Sequence, residues 1–455
     1  MKKLASLQIY LLGISLWMPA VALVNVKDMW GLQVAMVLVA TLFLSMVLVM
    51  FASGFRIPLN AHISSELLLV HGVFLLSSIL STLFTTIAFQ RSLDSLFNQS
   101  IIFVFSLSLS WWLTRNVAYI QSFLGGFKTG GFLSAAYAIY QVAGIRRGLP
   151  LAYLPINNAS FSLRTYEQTS LLGRAHALTP EASSLASLLL PLLVIMLVEV
   201  LIAGGITRYL LFSLVACGYL ATSSQSLVLV PFCVLAVLLF VWLLHPPGRK
   251  LARSDLIGVV ILIAGAGVLV LTNERISLWL SRVVMIEKNA SVVTRSNDML
   301  VGLEMFKHHP LVGVGLGASS VLAGAFQQKL GIEQATGGIS NTLFRILAEQ
   351  GAGGMLTMLV AAYAILPLRM VSRVSSDHAV LLASCASFVV CCTAAIITFV
   401  VYRNLYDAWL FIPMGLSLKA LLRQRLAMVH LKRKQQTPSL GQPSSAALDT
   451  PRGSH

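Results

Sequence analysis

The chain has 455 residues, 57% hydrophobic and only 11% charged, with a mean hydropathy of +0.83. A soluble domain carries about 25% charged residues, so a soluble enzyme, a disulfide-rich secreted module and a disordered polybasic chain are all excluded. The net charge of +16 comes from 32 Lys and Arg against 16 Asp and Glu, but these residues do not form the dense patches used for nucleic acid.

Apolar blocks of about 20 residues, long enough to cross about 30 Å of hydrocarbon, predict an all-α polytopic membrane protein with about twelve transmembrane helices. In chain order they fall near 4–24, 30–52, 63–88, 99–114, 123–145, 182–203, 208–222, 226–245, 256–272, 342–367, 378–401 and 407–422. Met1-Lys-Lys3 resembles a signal n-region, but no small-residue cleavage site follows, so the first block is taken as a retained helix.

Setting the N-terminus in the cytoplasm puts seventeen basic residues and only Asp255, Asp377 and Asp449 on that side, as the positive-inside rule expects. Both termini are then cytoplasmic. Lys128 lies inside the fifth span and belongs to neither side. The other face keeps fourteen basic residues, most of them in two long segments, 146–181 and 273–341. Loops this long without structure are usually functional or disordered, and their composition predicts two structured extracytoplasmic caps. Residues 1–425 thus form one integral membrane domain. The tail 426–455 is polar, basic at Lys432-Arg-Lys434, and expected to be disordered. The five cysteines all lie in predicted spans, with no C-x-x-C pair and no loop framework for disulfides.

In the first cap the basic residues are all arginine: Arg146, Arg147, Arg164 and Arg174, accompanied by Glu167 and Glu181. Guanidinium forks grip phosphate oxygens bidentately. They equally suit lipid headgroups or local carboxylates. Thr179-Pro180-Glu181 precedes the sixth span, with Thr179 expected to cap, Pro180 to open the helix and Glu181 to sit in the first turn. A carboxylate there is stabilised by the helix dipole alone. A few residues after Arg174 and His176, it could also take a proton from a sugar hydroxyl.

The second cap holds a helix-like stretch from Arg295 to His308, stopped by Pro310 and followed by the Gly-rich turn Gly313 to Gly317. Asp298, Glu304, Lys307, His308 and His309 cluster there. The two histidines lack zinc-ligand spacing, and Glu304 with His308 is an i,i+4 pair of the helix-surface kind. The glycine run follows a helix and not a strand, unlike a nucleotide loop.

At the tenth span Ser340-Asn341 opens the helix and Arg345 and Glu349 are four apart, a spacing repeated by Arg403 and Asp407. Each is an internal salt bridge by default, yet ionisable groups at a bundle rim also mark substrate paths. Glu66 and Glu199, deeper in their spans, have no partner recognisable from spacing. There is no Asp-x-Asp pair, Walker loop or G-x-S-x-G elbow. Any transferase here would work without nucleotide and neutralise its leaving group with arginine.

Three stretches together resemble the O-antigen ligase/polymerase superfamily of bacterial envelope glycan enzymes: Arg174 to Ala186, Arg295 to Gly317, and Ser340 to Gly354. The resemblance covers about 100–415. It implies a GT-C-like membrane glycosyltransferase of the inner membrane, with its active site facing the periplasm. Such enzymes transfer glycan from an undecaprenyl diphosphate-linked donor to a glycan acceptor among membrane lipids, with neither metal nor nucleotide as cofactor. Arg174 and Arg295 match the diphosphate-binding arginines by position, with Arg345 and Arg403 as further candidates. Arg164, His176, Asn341 and Asp407 are other candidate site residues, with no role assigned. A chain-length regulator or a flippase is the implied protein partner.

Two departures matter. Ligases of the family place His before the Asn that opens the tenth span, and here that residue is Ser340. A Ser-Arg turn between the seventh and eighth spans is replaced by Ser224-Gln225. The Pro180-Glu181-Ala-Ser183 stretch is closer to the polymerases of O-antigen and exopolysaccharide, with Glu181, His308 or His309 as base. A ligase acting on lipid A-core or protein is the alternative, and a transporter of lipid-linked or anionic substrates is the alternative of another class.

Overall fold

The computed structural model describes residues 2–26, 30–53, 61–84, 88–145, 147–152, 154, 157–158, 174–222, 230, 233–236, 290–332, 338–339, 341–365, 379–397 and 412–422. It is mostly helical, as the apolar blocks predict. The elements are α1 (Lys2–Ser15), β1 (Ala22–Val26), β2 (Trp30–Gln33), α2 (Val34–Ala52), α3 (Ala61–Leu83), α4 (Phe89–Leu113), α5 (Val117–Ile145), α6 (Ala182–Ala203), α7 (Ile206–Ala221), α8 (Ala290–His308), α9 (Ser319–Lys329), α10 (Thr342–Ile365) and α11 (Ala379–Ile397). A short apolar helix, α12 (Ile412–Leu422), follows. Among the described residues, four helices are long and apolar enough to cross a membrane: Val34–Ala52, Glu66–Leu83, Phe89–Leu113 and Ala182–Ala203. The expected span 256–272, most of 226–245 and the tail from 426 lie outside the described residues.

The first expected span is not a single helix. At 14 residues α1 rises about 21 Å, less than the hydrocarbon thickness. Turns follow at Leu16-Trp17 and Pro19-Ala20, and the chain then pairs Ala22–Val26 antiparallel with Trp30–Gln33. Proline cannot continue the helical ladder, and the β-branched Val24 and Val26 favour the extended pairing that ensues. This hairpin is the one departure from an all-α fold among the described residues. At the other boundary, α4 starts ten residues before the apolar block it was expected to coincide with, because its polar first turns from Phe89 are helical too.

Small residues let the helices approach closely. Gly126 and Gly130, four apart on α5, face α1: a Cβ on Gly126 would lie 1.9 Å from the Tyr10 carbonyl oxygen, and one on Gly130 would meet Trp17 at 2.5 Å. Small residues at this spacing give membrane helices their tight crossings. Trp17 Nε1 donates to the Phe127 carbonyl at 2.8 Å, and the Tyr10 and Thr129 hydroxyls meet at 3.0 Å. On the other side of α5, Gly218 of α7 abuts Ala135. Helix α6 is central, with Leu185, Leu189, Leu192 and Ile195 all fully enclosed. The α3–α4 pair is locked by His71, whose Nδ1 donates to the Leu67 carbonyl (2.8 Å) while Nε2 accepts from Ser106 (2.9 Å).

Two partly buried ion pairs supply partners that spacing alone did not reveal. Lys128 Nζ lies 2.8 Å from Glu199 Oε1, joining α5 to α6. Lys419 Nζ lies 2.6 Å from Glu66 Oε1 and donates to the Ala364 carbonyl at 3.0 Å, joining α12 to α3 and α10. Lys419, one of the seventeen basic residues that the sequence assigns to the cytoplasmic side, is itself buried.

Candidate functional site

The segment 174–181 is threaded between α5, α6 and α7. Ala175 N donates to the Ala221 carbonyl at 3.0 Å, and Arg174 Nε donates to the Thr222 carbonyl at 3.1 Å, so the end of α7 holds the segment's start. Gln141 of α5 supplies one carbonyl oxygen to two successive amides, His176 N (3.2 Å) and Ala177 N (2.8 Å). That double bond fixes a sharp corner, where Ala177 adopts φ 48°, a left-handed conformation that residues other than glycine seldom take. The Leu178 carbonyl accepts from Ala20 N at 3.1 Å.

His176 is fully buried at this corner. Its Nδ1 lies 3.1 Å from the Ala177 carbonyl, which requires a proton on that nitrogen. Burial pulls its pKa down to about 4, against the backbone bond that raises it, so the ring is neutral at pH 7. Burial also lowers the Arg174 guanidinium from its ordinary value, and the nearby Glu181 carboxylate acts in the opposite sense. Arg174 stays charged.

Glu181 is the residue at the α6 N-cap, with extended φ −155° and ψ 162° and no side-chain capping bond. The expected arrangement is therefore corrected. Thr179 does not cap, since its hydroxyl donates to the carbonyls of His176 (2.6 Å) and Glu181 (2.9 Å), and Pro180 precedes the helix. Ser183 Oγ donates to Glu181 Oε1 at 2.7 Å. The carboxylate thus sits partly exposed at the dipole's positive end, with one oxygen oriented by a serine. It can accept a proton, and Arg174 can stabilise an anion next to it.

The second cap gathers a different group. Helix α8 begins at Ala290, a turn and more before the expected Arg295. The side chain of Arg295 is outside the described residues. Glu304 Oε1 lies 3.1 Å from Lys329 Nζ and 3.5 Å from His308 Nε2, and its Oε2 lies 3.4 Å from Lys307 Nζ. The Lys329 ammonium, followed by Lys307, holds the Glu304 carboxyl below its ordinary range. His308 Nε2 accepts from Lys329 Nζ at 2.5 Å, and its ring leans on Phe326. His309 is exposed.

Asn341 caps α10, its Oδ1 accepting from the amides of Leu343 (2.9 Å) and Phe344 (3.3 Å). Arg345 Nε is 4.0 Å from Glu349 Oε2, and Ser319 Oγ donates to Glu349 Oε1 at 2.5 Å. Just beyond, Gly351 breaks the helix with φ 59° and ψ −144°. The strap after Pro310 mends the break: Val314 N bonds the Ala348 carbonyl (2.8 Å), Gly315 N that of Glu349 (3.2 Å), and Ala352 N bonds the Pro310 carbonyl (2.8 Å). Ser77 and Ser81 of α3 reach Gln350 Oε1 (3.1 Å) and the Glu349 carbonyl (2.5 Å). Gly313, Gly315 and Gly317 all have positive φ, as the expected turn requires.

The candidates therefore fall into two groups. Arg174, His176 and Glu181 share the α5–α6–α7 mouth; Glu304, His308, Asn341, Arg345 and Glu349 share the α8–α10 cap. Arg164, Arg403 and Asp407, with Ser340, lie outside the described residues. Gln141, Ser183 and Thr222 shape the first group without having been singled out as site residues from sequence. Only Gln141, an amide in the otherwise apolar last turns of the fifth span, carried a signal that could have found it.

A family described as O-antigen ligase matches residues 210–359, from the second turn of α7 to beyond the break in α10. No curated protein and no solved structure matches. The matched stretch contains the Gly-rich turn and the Asn341–Gly351 motif, and its first helix ends against Arg174. The match covers about a third of the chain and supports a likeness to the O-antigen ligase/polymerase superfamily, whose members are membrane glycan enzymes of the glycosyltransferase kind.

Proposed function

We propose that this protein polymerises lipid-linked oligosaccharide repeat units on the periplasmic face of a bacterial inner membrane. The donor is an undecaprenyl diphosphate-linked glycan and the acceptor a sugar hydroxyl of a second repeat unit. The reading includes twelve spans in a GT-C-like arrangement with both termini cytoplasmic. It also includes transfer that needs neither metal nor nucleotide, and work alongside a chain-length regulator or a flippase. The observation that carries it is the placement of Arg174 and Glu181 on one segment at the bundle mouth, in a chain whose α10 opens on Ser340-Asn341 without the ligase histidine.

In this reading the acceptor hydroxyl oxygen bonds to the donor's anomeric carbon as the bond from that carbon to the diphosphate oxygen breaks. The hydroxyl proton passes to Glu181, held toward the reaction by Ser183. Arg174 compensates the charge that grows on the departing prenyl diphosphate. Glu181 is preferred to His308 as base, since the Nε2 lone pair of His308 is occupied by Lys329.

The test is a reaction of purified protein with prenyl diphosphate-linked repeat units, read as a ladder on a gel. A ladder that disappears in Arg174→Ala supports the reading. A ladder of normal length in that variant sinks it. A single transferred product indicates a ligase, and flux across proteoliposomes without bond formation indicates a transporter.

A further inference from the structure

The helical hairpin of α6 and α7 turns at Gly204-Gly205, about 33 Å along α6 from Glu181. At that turn lies a cavity of about 380 Å³ lined by Lys128, Phe132, Met196, Glu199, Gly205, Thr207, Arg208 and Leu211. Its volume falls within the range of small-molecule sites. Phe132, Met196 and Leu211 form apolar walls, and the remaining lining is charged or polar.

Lys128 and Glu199 cancel each other at 2.8 Å. Arg208 is left over, so the lining carries a net charge of one positive unit. Its Nη1 donates to the carbonyls of Ala203 (3.4 Å) and Gly204 (2.8 Å), which tie the guanidinium to the turn. Its other N–H groups are not used on those carbonyls. The amides of the first turn of α7 have no side-chain cap, which adds positive potential at the same place. Beside the cavity, Ile206 and Leu210 are 74% and 63% exposed, one helical turn apart. The site thus combines a cationic head, apolar walls and an adjoining greasy stripe.

We infer that this cavity binds the headgroup of an anionic glycerophospholipid, with the phosphodiester at Arg208 and Thr207 and the acyl chains along Ile206 and Leu210. A cation at the edge of the hydrocarbon is costly unless compensated, and basic pockets between membrane helices are suited to phosphate headgroups. One net positive charge matches a phosphodiester monoanion better than a prenyl monophosphate or diphosphate, each more highly charged. The inference is independent of the glycosyl-transfer reading, because it concerns the opposite end of α6 and is read without an activity assay.

The experiment uses the full chain, stripped of lipid in detergent and titrated with phosphatidylglycerol or phosphatidylcholine, with bound lipid counted by native mass spectrometry. Wild-type protein is expected to retain one phosphatidylglycerol in preference to phosphatidylcholine. Arg208→Gln should weaken that binding about fivefold, as removal of one interfacial cation predicts, and Arg208→Lys should restore much of it. Thr207→Glu should weaken it similarly while leaving folding intact, since an acid in a first helical turn favours the helix. Equal retention of the two lipids, or unchanged binding in both charge variants, overturns the proposal. So does tighter binding of prenyl phosphate, or displacement of the lipid by inorganic phosphate alone.

Discussion

Gly313 and Gly351 meet backbone to backbone, and neither position has room for a side chain. A Cβ on Gly351 would lie 2.7 Å from Gly313 N, and one on Gly313 would lie 2.3 Å from the Glu349 carbonyl carbon. Both have positive φ, 72° and 59°. The contact lets the strap after Pro310 reach the broken turn of α10 and satisfy its backbone groups.

Gly351→Ala should therefore combine steric overlap with a strained backbone, at a cost of about 2 kcal/mol or more. Gly324→Ala, with open space around its Cβ position on a right-handed helix, is the matched control. Thermal unfolding in detergent should separate the two, with a clear drop for Gly351→Ala and none for Gly324→Ala.

The Lys128–Glu199 pair should show strong coupling. Lys128→Met or Glu199→Gln alone leaves a partly buried charge without its partner, whereas the double replacement removes both. Each single change should destabilise by about 3 kcal/mol and the double by distinctly less. A cycle of denaturation measurements giving additive losses would show that the two residues do not act as a pair.

Acid should weaken the fold around His176. Its folded pKa is about 4 against an ordinary 6.5, so between those values the unfolded chain binds more protons. Stability is full above pH 6.5 and falls as pH drops toward 4, by roughly 3 kcal/mol in total. His176→Asn should flatten that part of the stability profile. An unchanged profile in this variant would assign the acid sensitivity elsewhere.

Glu181→Gln should cut ladder formation by about 10²–10⁴-fold, the usual share of a general base, at normal protein levels. His308→Gln should leave it nearly intact. The opposite pattern would move proton transfer to the second cap.

The parts of this architecture that were readable from sequence are those governed by local pattern. The block 182–203 coincides with α6 residue for residue because a long, mainly apolar run lies between Pro180 and the helix-ending Gly204. The turn at Gly313–Gly317 and the cap at Asn341 follow from backbone freedom and side-chain chemistry within a few residues. What escaped depends on distance along the chain. Glu66 finds Lys419 and Glu199 finds Lys128 across 353 and 71 residues, which no periodicity reports. Thr179 was misread because its hydroxyl prefers two carbonyls of its own corner to a helix amide, a choice set by Gln141 holding that corner from another helix.

The N-terminal hairpin ties these distant parts together. Asn157 brackets Ala22, accepting from its amide at 2.8 Å and donating to its carbonyl at 2.9 Å, and Asn158 donates to the Pro19 carbonyl at 2.8 Å. Ala20, between them, bonds Leu178. The leading thirty residues consequently act as a buckle: α1 is fastened along the glycine face of α5, and its far end is fastened to the corner that carries His176. Slippage of α1 by one turn would undo the Ala20–Leu178 bond and release the segment joining Arg174 to Glu181, so the mouth of the bundle is held in register by the part of the chain that leads into it.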